Sequence, residues 1–235
     1  MFLKAKWRLR SGLNVIIEND SDWFVYNEIF VNKEYDQALN VFLSGLTNEH
    51  PVIVDLGANV GYFSIRIADE LICAGKDRFS IIALEAAPQN FTVLDGRVQQ
   101  KGLSGNISAK LGLAGYKTGT ETVVHSAQHY GHSSAGVGHA EGKKSVVSYI
   151  DIESLIPREK DIDFLKCDIE GSEEIFINEY AGLLKRVKLA VFEFHAGECN
   201  VANCRAMLEK AGLISAGILK EDPAFKTSVE IFKRN

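Results

Sequence analysis

Long apolar runs are absent from this 235-residue chain. No stretch approaches the roughly 18 apolar residues that a membrane-spanning helix needs. The basic start, MFLKAKWRLRSG, also lacks the apolar core of a secretory signal peptide. We therefore expect a cytoplasmic protein with no stable membrane insertion.

An excess of positive charge is also missing. The chain has 26 Lys and Arg against 31 Asp and Glu, which gives a net charge of -5 and a pI near 5.7. Proteins that bind nucleic acid through its phosphates normally carry a basic domain or stripe. The sequence therefore predicts no nucleic-acid partner, and it leaves both the small-molecule acceptor and the oligomeric state open.

Cysteine is scarce, and its four positions give no secreted disulfide framework. The grouping of His195, Cys199 and Cys204 has a C-x4-C spacing that does not match common zinc sites, and no fourth ligand is evident. Four further histidines lie in a Gly- and Ser-rich stretch that is poorly organised for a metal ion. We predict free thiols and no metal site.

Apolar segments of strand and helix period alternate along most of the chain. This alternation predicts an α/β fold with a mostly parallel seven-stranded sheet, an antiparallel last strand and helices on both faces. The predicted strands are residues 52–56, 80–85, 107–115, 145–150, 163–170, 188–195, 213–220 and 227–234, which imply seven core strands. The predicted helices between them are residues 61–73, 88–100, 172–184 and 200–212, with a short helix near 151–156.

Two segments lie outside this alternation. Residues 1–48 are predicted to form a brace of one strand, 14–18, and one helix, 25–45, that belongs to the same folding unit as the α/β domain at 49–235. A stretch from about 116 to 143 lacks apolar periodicity and is too long for an idle connection in a compact domain. We expect it to be a mobile loop or hairpin that closes over the acceptor.

The stretch VIVDLGANVG at 52–61 joins a buried strand to a helix and indicates a nucleotide-type site. Gly57 and Gly61 allow a tight turn and a close approach by a ligand. A dinucleotide fingerprint requires glycine at three places, where this chain has Gly57, Asn59 and Tyr62, so dinucleotide binding is disfavoured. No P-loop motif occurs in the chain.

Acidic residues near this turn suit an amino acid joined to a nucleoside. Glu85 ends the second predicted strand, where a carboxylate with two acceptor oxygens matches the two hydroxyls of a ribose. Asp55 would face a ligand ammonium, and the helix N-terminus after Gly61 would receive a carboxylate. S-adenosylmethionine is such a molecule and is the predicted cofactor, held by Asp55, Gly57, Asn59, Gly61 and Glu85.

Four segments resemble successive motifs of the FkbM-type methyltransferases: VIVDLGANVGYFSIRIA, ALEAAPQNF, DFLKCDIEGSEEIFI and VFEFH. The resemblance implies a Rossmann-like domain that uses S-adenosylmethionine to methylate hydroxyl groups of sugars or related natural products. It covers roughly residues 24 to 195, and LKCDIEG is its most discriminating motif. One departure is that Ala86 and Ala87 stand before Pro88, where the family often has Pro directly after the Glu.

Catalytic candidates end the two strands nearest the expected acceptor. We expect His195 to accept the proton of the acceptor hydroxyl and Asp168 to orient it, with Glu170 as a third catalytic residue. Lys166 and Glu193 are expected to bind the acceptor. Structural roles remain open for them, since Glu170 could cap the following helix and Glu193 could pair with Lys166.

Two other function classes remain open. A dinucleotide oxidoreductase would share the topology, and a non-catalytic binding protein could share the site, because fold alone does not determine function. An S-adenosylmethionine-dependent O-methyltransferase is the interpretation that the motifs favour.

Overall fold

The computed structural model describes residues 4–100, 102–125 and 143–234. The strands are β1 (Ala5–Arg8), β2 (Asn14–Ile17), β3 (Val52–Leu56), β4 (Ser80–Glu85), β5 (Ile107–Leu111), β6 (Thr120–His125), β7 (Lys143–Ser148), β8 (Phe164–Cys167), β9 (Leu189–His195), β10 (Leu213–Asp222) and β11 (Thr227–Arg234). The helices are α1 (Asp20–Tyr26), α2 (Asp36–Gly45), α3 (Tyr62–Cys73), α4 (Pro88–Val98), α5 (Glu173–Glu179), α6 (Ala181–Leu184) and α7 (Val201–Lys210), with a π-helix at Asn27–Val31 and a 3₁₀-helix at Ile152–Leu155.

Seven strands form the main sheet in the order β10-β11-β9-β8-β3-β4-β5. The neighbours from β9 to β5 are parallel, and β11 is antiparallel to both β9 and β10. The predicted fold class is therefore confirmed. The chain moves outward from β3 to β5 and then returns to the other side of β3 at β8, so a topological switch point lies between β3 and β8. Ligands of open α/β sheets bind at such points, at the carboxyl ends of the strands.

Alternate residues of the central strands contribute to two separate hydrophobic layers. Ile53 of β3 packs with α2, α3 and α4 on one face, whereas Val54 and Leu56 pack with α5, α6 and α7 on the other. All five residues of β3 are buried, as expected of a central parallel strand covered on both faces. The period of two in the sequence thus determines which face each side chain covers.

The N-terminal segment differs from its prediction. The expected single helix at 25–45 is divided into α1, the π-helix and α2, and Lys33 between them has a φ of 57°, which no helix continues through. The predicted strand at 14–18 is present as β2 and pairs with β1, which we had not predicted. No described helix is long and apolar enough to cross a membrane.

One arginine of α4 fastens this segment to the sheet. Arg97 Nη2 lies 2.8 Å from Asp22 Oδ2 and 3.0 Å from the Ile16 carbonyl, and Nη1 donates to the Val60 carbonyl at 2.9 Å. Its guanidinium also lies 4.4 Å from the ring centroid of Tyr62. Because the Arg97–Asp22 pair is almost fully buried, it fixes the approach of β2 and α1 to the turn after β3.

The stretch from 116 to 143 is in part a hairpin. β6 and β7 pair antiparallel from Thr120↔Ser148 to His125↔Lys143, outside the main sheet, and β5 ends at Leu111 rather than at 115. The predicted closure over the acceptor concerns mainly residues 126–142, which lie outside the described residues.

The two tryptophans provide a test of whether the brace and the Rossmann-like domain unfold together. Both Trp7 and Trp23 lie in the N-terminal segment, so fluorescence reports on the brace while far-UV circular dichroism reports on the whole chain. We expect coincident urea midpoints, since the brace packs into the same hydrophobic layer as Ile53.

A matched pair of variants sharpens that test. Arg97→Met leaves Asp22 buried without this cation and should destabilise both transitions by about 3 kcal/mol. Lys4→Met breaks the exposed pair with Glu18 and should cost less than about 1 kcal/mol. An early fluorescence transition in the wild-type protein would contradict a single folding unit.

Candidate active site

The turn after β3 lies directly against the end of β8. Gly57 has a φ of +71°, and a Cβ built on it would lie 1.7 Å from the carbonyl oxygen of Asp168. No other residue type fits there without moving the backbone. The sequence motif therefore requires glycine here because the turn after β3 contacts the end of β8 at the switch point.

A buried lysine joins these two strand ends. Lys166 Nζ donates to the Gly57 carbonyl at 3.0 Å, and lies 3.3 Å from Asp168 Oδ2 and 3.6 Å from Asp55 Oδ1. Burial alone would lower the pKa of Lys166, but the charges of Asp168 and Asp55 raise it above its usual value. Lys166 therefore stays charged, and its ammonium is paired with groups of the protein itself. It has no ion pair with Glu193 among the described contacts, and both residues line the same cleft.

Two predicted cofactor residues have structural contacts, and their cofactor roles stay predictions. Asp55 is fully buried, accepts a hydrogen bond from Ser64 Oγ at 2.6 Å and lines neither cleft described below. Its position opposite Lys166 in the β3–β8 register explains this role. Gly61 precedes α3 with a φ of 89°, and a Cβ there would lie 2.7 Å from Leu94 Cδ1, so it allows α4 to approach.

A cleft of about 690 Å³ opens between the carboxyl ends of β4 and β8, and we call it the β4-side cleft. Its wall combines apolar side chains, close backbone and a few polar groups. It is lined by Gly57, Asn59, Leu84, Glu85, Ala86, Asn90, Gly112, Leu113, Ala114, Val123, Asp168, Ile169, Glu170 and Ser172.

Glu85 is held rigidly in this cleft by backbone amides. Its Oε2 accepts from Asn59 N and its Oε1 from Ala87 N, both at 2.8 Å. Each carboxylate oxygen retains a second lone pair that a ligand hydroxyl can use. Burial raises the pKa of Glu85 to about 7, because it outweighs the two amide hydrogen bonds that favour the charged form.

A second cleft of about 720 Å³ lies towards β9, and we call it the β9-side cleft. The N-terminal segment forms its far wall. It is lined by Val25, Glu28, Ile29, Glu34, Tyr35, Gly57, Ala58, Asn59, Tyr62, Phe63, Lys166, Asp168, Glu170, Glu193, His195 and Lys220. No local pattern predicts that Glu28, Glu34 and Lys220 line this cleft, because only the packing of the N-terminal segment and of β10 brings them to this edge.

The two clefts meet at four shared residues: Gly57, Asn59, Asp168 and Glu170. Asn59 and Glu170 both have positive φ values, 50° and 52°, which non-glycine residues rarely adopt. Backbone in such regions is concentrated at functional sites. The predicted residues of the turn and of the LKCDIEG motif thus form the boundary between the clefts.

Three predicted catalytic side chains converge at this boundary. Ligand atoms of Asp168, Glu170 and His195 all lie within 4.8 Å of one another, and His195 Nε2 is 3.4 Å from Glu170 Oε2. His195 is near these carboxylates because β8 and β9 are adjacent. The cysteines considered with it in the sequence, Cys199 and Cys204, do not belong to this group.

A residue that sequence reasoning did not select, Glu173, holds this group together. Its Oε1 accepts hydrogen bonds from Ile169 N and Gly171 N and lies 3.1 Å from His195 Nδ1. One fully buried carboxylate therefore fixes both the turn that carries Glu170 and the ring of His195. Its position as the first residue of α5 gave no signal of this role, which needs the β8–β9 pairing.

Neighbouring carboxylates shift the protonation equilibrium of His195. Burial alone would lower the pKa of His195, but the hydrogen bond to Glu173 and the charges of Glu173, Asp168 and Glu170 raise it to about 10. Without a ligand the arrangement favours the protonated imidazole, and the role of His195 as the base stays a prediction. Burial and the charge of Asp168 raise the pKa of Glu170 to about 7, against the opposing charge of His195.

Comparison with known families gives one match. The family model described as "Methyltransferase FkbM domain" matches residues 55–213, which contain Gly57, Glu85, Asp168 and His195. No curated protein matches the chain in sequence.

Solved structures share the fold at low identity. The methyltransferase FkbM from Methylobacillus flagellatus KT is 16% identical, with a TM-score of 0.52 over 92% of this chain and 56% of its own. The magnesium protoporphyrin IX methyltransferase from Synechocystis PCC 6803, solved with bound S-adenosylmethionine, is 12% identical, with a TM-score of 0.51 over 93% and 86%. At these identities the similarity establishes the fold.

The raised pKa of Glu85 predicts pH-dependent binding of S-adenosylhomocysteine. The ionised carboxylate is the stronger acceptor for ribose hydroxyls, so affinity should rise as pH increases through about 7. If only the ionised form binds well, the Kd by calorimetry should be roughly tenfold weaker at pH 6 than at pH 8.

Two variants separate this effect from general pH effects. Glu85→Gln should weaken binding at pH 8 by about 1.5 to 3 kcal/mol and make it independent of pH. Asp95→Asn, at an exposed position of α4, should retain the wild-type pH response. A pH response that persists in Glu85→Gln would show that another group is responsible.

Proposed function

Because the chain belongs to the FkbM methyltransferase family, we propose that it transfers a methyl group from S-adenosylmethionine to a hydroxyl group of a sugar or natural-product acceptor. The observation that carries this proposal is the pair of clefts that meet at Gly57, Asn59, Asp168 and Glu170. A transferase needs two binding sites that share the position of the reacting atoms.

The β4-side cleft fits the cofactor. Glu85 offers a fixed carboxylate for the ribose, and Gly57 and Gly112 line the cleft without side chains. Leu113 and Ala114 add apolar surface for the base. S-adenosylmethionine, when bound there, supplies the activated methyl group.

The β9-side cleft fits the acceptor. Asp168 and Glu170 present carboxylate oxygens at the boundary with the β4-side cleft, where they can accept the hydrogen bond of an acceptor hydroxyl. Glu173 and His195 hold Glu170 in place, and Lys166 holds Asp168. The residues of this chain therefore align the hydroxyl, and no single side chain is assigned as the base.

The remaining parts of the proposal concern partners and location. A small molecule or a glycan is the acceptor class that the polar β9-side cleft supports, and the net charge of -5 argues against nucleic acid. A cytoplasmic location and closure of the stretch from about 116 to 143 over the acceptor stay predictions.

Two measurements distinguish this proposal from the alternatives. Calorimetry should detect S-adenosylhomocysteine and no binding of NADH, because Asn59 occupies the place of the second fingerprint glycine. Radiolabelled S-adenosylmethionine incubated with fractionated cell extract should transfer label to a non-protein fraction. Tight binding of S-adenosylhomocysteine without any transfer would favour a non-catalytic member.

Asp168→Asn tests the alignment of the acceptor. It retains the shape of the side chain and removes its charge, so we expect kcat to fall roughly 10- to 100-fold while donor affinity changes less than about threefold. The exposed Asp95→Asn should have no effect on either. A loss of donor affinity with unchanged kcat would instead place Asp168 in the cofactor site.

A further inference from the structure

We propose that Asp168, Glu170 and His195 bind a hard divalent cation, Mg²⁺ or Mn²⁺, at the boundary between the two clefts. The binding is inferred from the side chains alone. Its catalytic use, to hold and polarise the acceptor oxygen, rests on the proposed methyl transfer.

The geometry of the three side chains suits one shared ion. Their ligand atoms lie within 4.8 Å of one another. Ligands of an octahedral ion at about 2.1 Å lie about 3 Å apart when adjacent and about 4.2 Å apart when opposite, so small side-chain rotations would bring the three groups to one ion. All three side chains are partly exposed to the clefts, which leaves further coordination positions for water or for an acceptor oxygen.

The contact of Glu173 with His195 is an independent observation that points to the same ligand. Glu173 is fully buried, its Oε1 engages His195 Nδ1, and its Oε2 has no hydrogen-bond partner among the described residues. Histidines that bind metals almost always donate a hydrogen bond from their other ring N–H to a carboxylate, a carbonyl or water. This arrangement directs Nε2 of His195 towards Glu170 and the shared position.

The charges around the β9-side cleft favour a cation. Five carboxylate side chains line this cleft against two lysines and one histidine. They are Glu28, Glu34, Asp168, Glu170 and Glu193, against Lys166, Lys220 and His195. Lys220 is paired with Glu34, and Lys166 is shared between Asp55 and Asp168, so neither lysine compensates Glu170 or Glu193 among the described ion pairs.

The ligand types indicate the class of cation. Two carboxylates suit Mg²⁺ and Mn²⁺, and the imidazole is more readily accepted by Mn²⁺ than by Mg²⁺. A cation bound here would polarise the oxygen of a coordinated hydroxyl. The ion would take the place of the proton on Nε2 that faces Glu170, so its binding releases a proton, and the ion rather than the imidazole then acts on the hydroxyl.

Electron paramagnetic resonance of Mn²⁺ tests the site directly, because bound and free Mn²⁺ give different signals and no acceptor is needed. Full-length protein titrated with MnCl₂ should bind one ion per chain, and excess MgCl₂ should displace it. Glu170→Gln and His195→Gln should each weaken the Mn²⁺ Kd at least tenfold, in the range of about 10- to 100-fold found for metal-site substitutions.

Glu198→Gln is the matched control, because this exposed carboxylate follows His195 in the same turn and is not one of the three ligands. It should leave the Mn²⁺ Kd unchanged. Absence of bound Mn²⁺ up to millimolar concentrations would overturn the proposal, as would equal weakening in the control or none in Glu170→Gln.

Calorimetry with S-adenosylhomocysteine on the same samples separates this proposal from the proposed function. Variants that lose Mn²⁺ but still bind S-adenosylhomocysteine are folded, and they support the metal site. Wild-type protein that binds S-adenosylhomocysteine without Mn²⁺ refutes the metal site and leaves the methyltransferase proposal intact. Mn²⁺ binding without S-adenosylhomocysteine binding would refute the methyltransferase proposal and retain the metal site.

Discussion

The position of the Lys166 ammonium is the constraint on which the site depends. It is buried at the switch point, where it contacts the Gly57 carbonyl and lies between the carboxylates of Asp55 and Asp168. A buried cation without such partners would cost several kcal/mol, so the three groups must stay together. Lys166 thereby fixes the turn after β3 against the turn after β8, and these two turns form the boundary between the clefts.

Glu173 likewise joins two strand ends, one strand further along the sheet. Its single oxygen Oε1 engages the turn after β8 and the imidazole at the end of β9. The buried side chains of Lys166 and Glu173 therefore position the groups at the boundary between the clefts. Such preorganisation is what alignment of a donor and an acceptor requires.

Features that depend on a few neighbouring residues could be predicted from the sequence. The β-branched run of β3, the tight turn at Gly57 and the carboxylate that ends β4 each follow from a few neighbouring residues, and all three lie where the motif placed them. Features that depend on pairing between distant segments could not be predicted. The burial of Asp55 against Lys166 is an example, because these two residues lie on strands that are far apart in sequence.

The same reason explains the environment of His195 and the residues of the β9-side cleft that were not predicted. An imidazole at a strand end has a near-neutral pKa in isolation, and only the approach of Glu173, Asp168 and Glu170 raises it to about 10. The helix predicted at 25–45 had a good apolar period, but the positive φ at Lys33 interrupts it, and the apolar period gives no indication of that reversal.

In the proposed function, the two clefts are a donor site and an acceptor site that share one boundary. A crystal structure of the protein with S-adenosylhomocysteine would show whether they are. We predict the ribose hydroxyls at the carboxylate of Glu85 and the sulfur beside Gly57 and Asp168, with the β9-side cleft still open. A ribose bound away from Glu85, or a ligand whose sulfur fills the β9-side cleft far from Asp168, would contradict it.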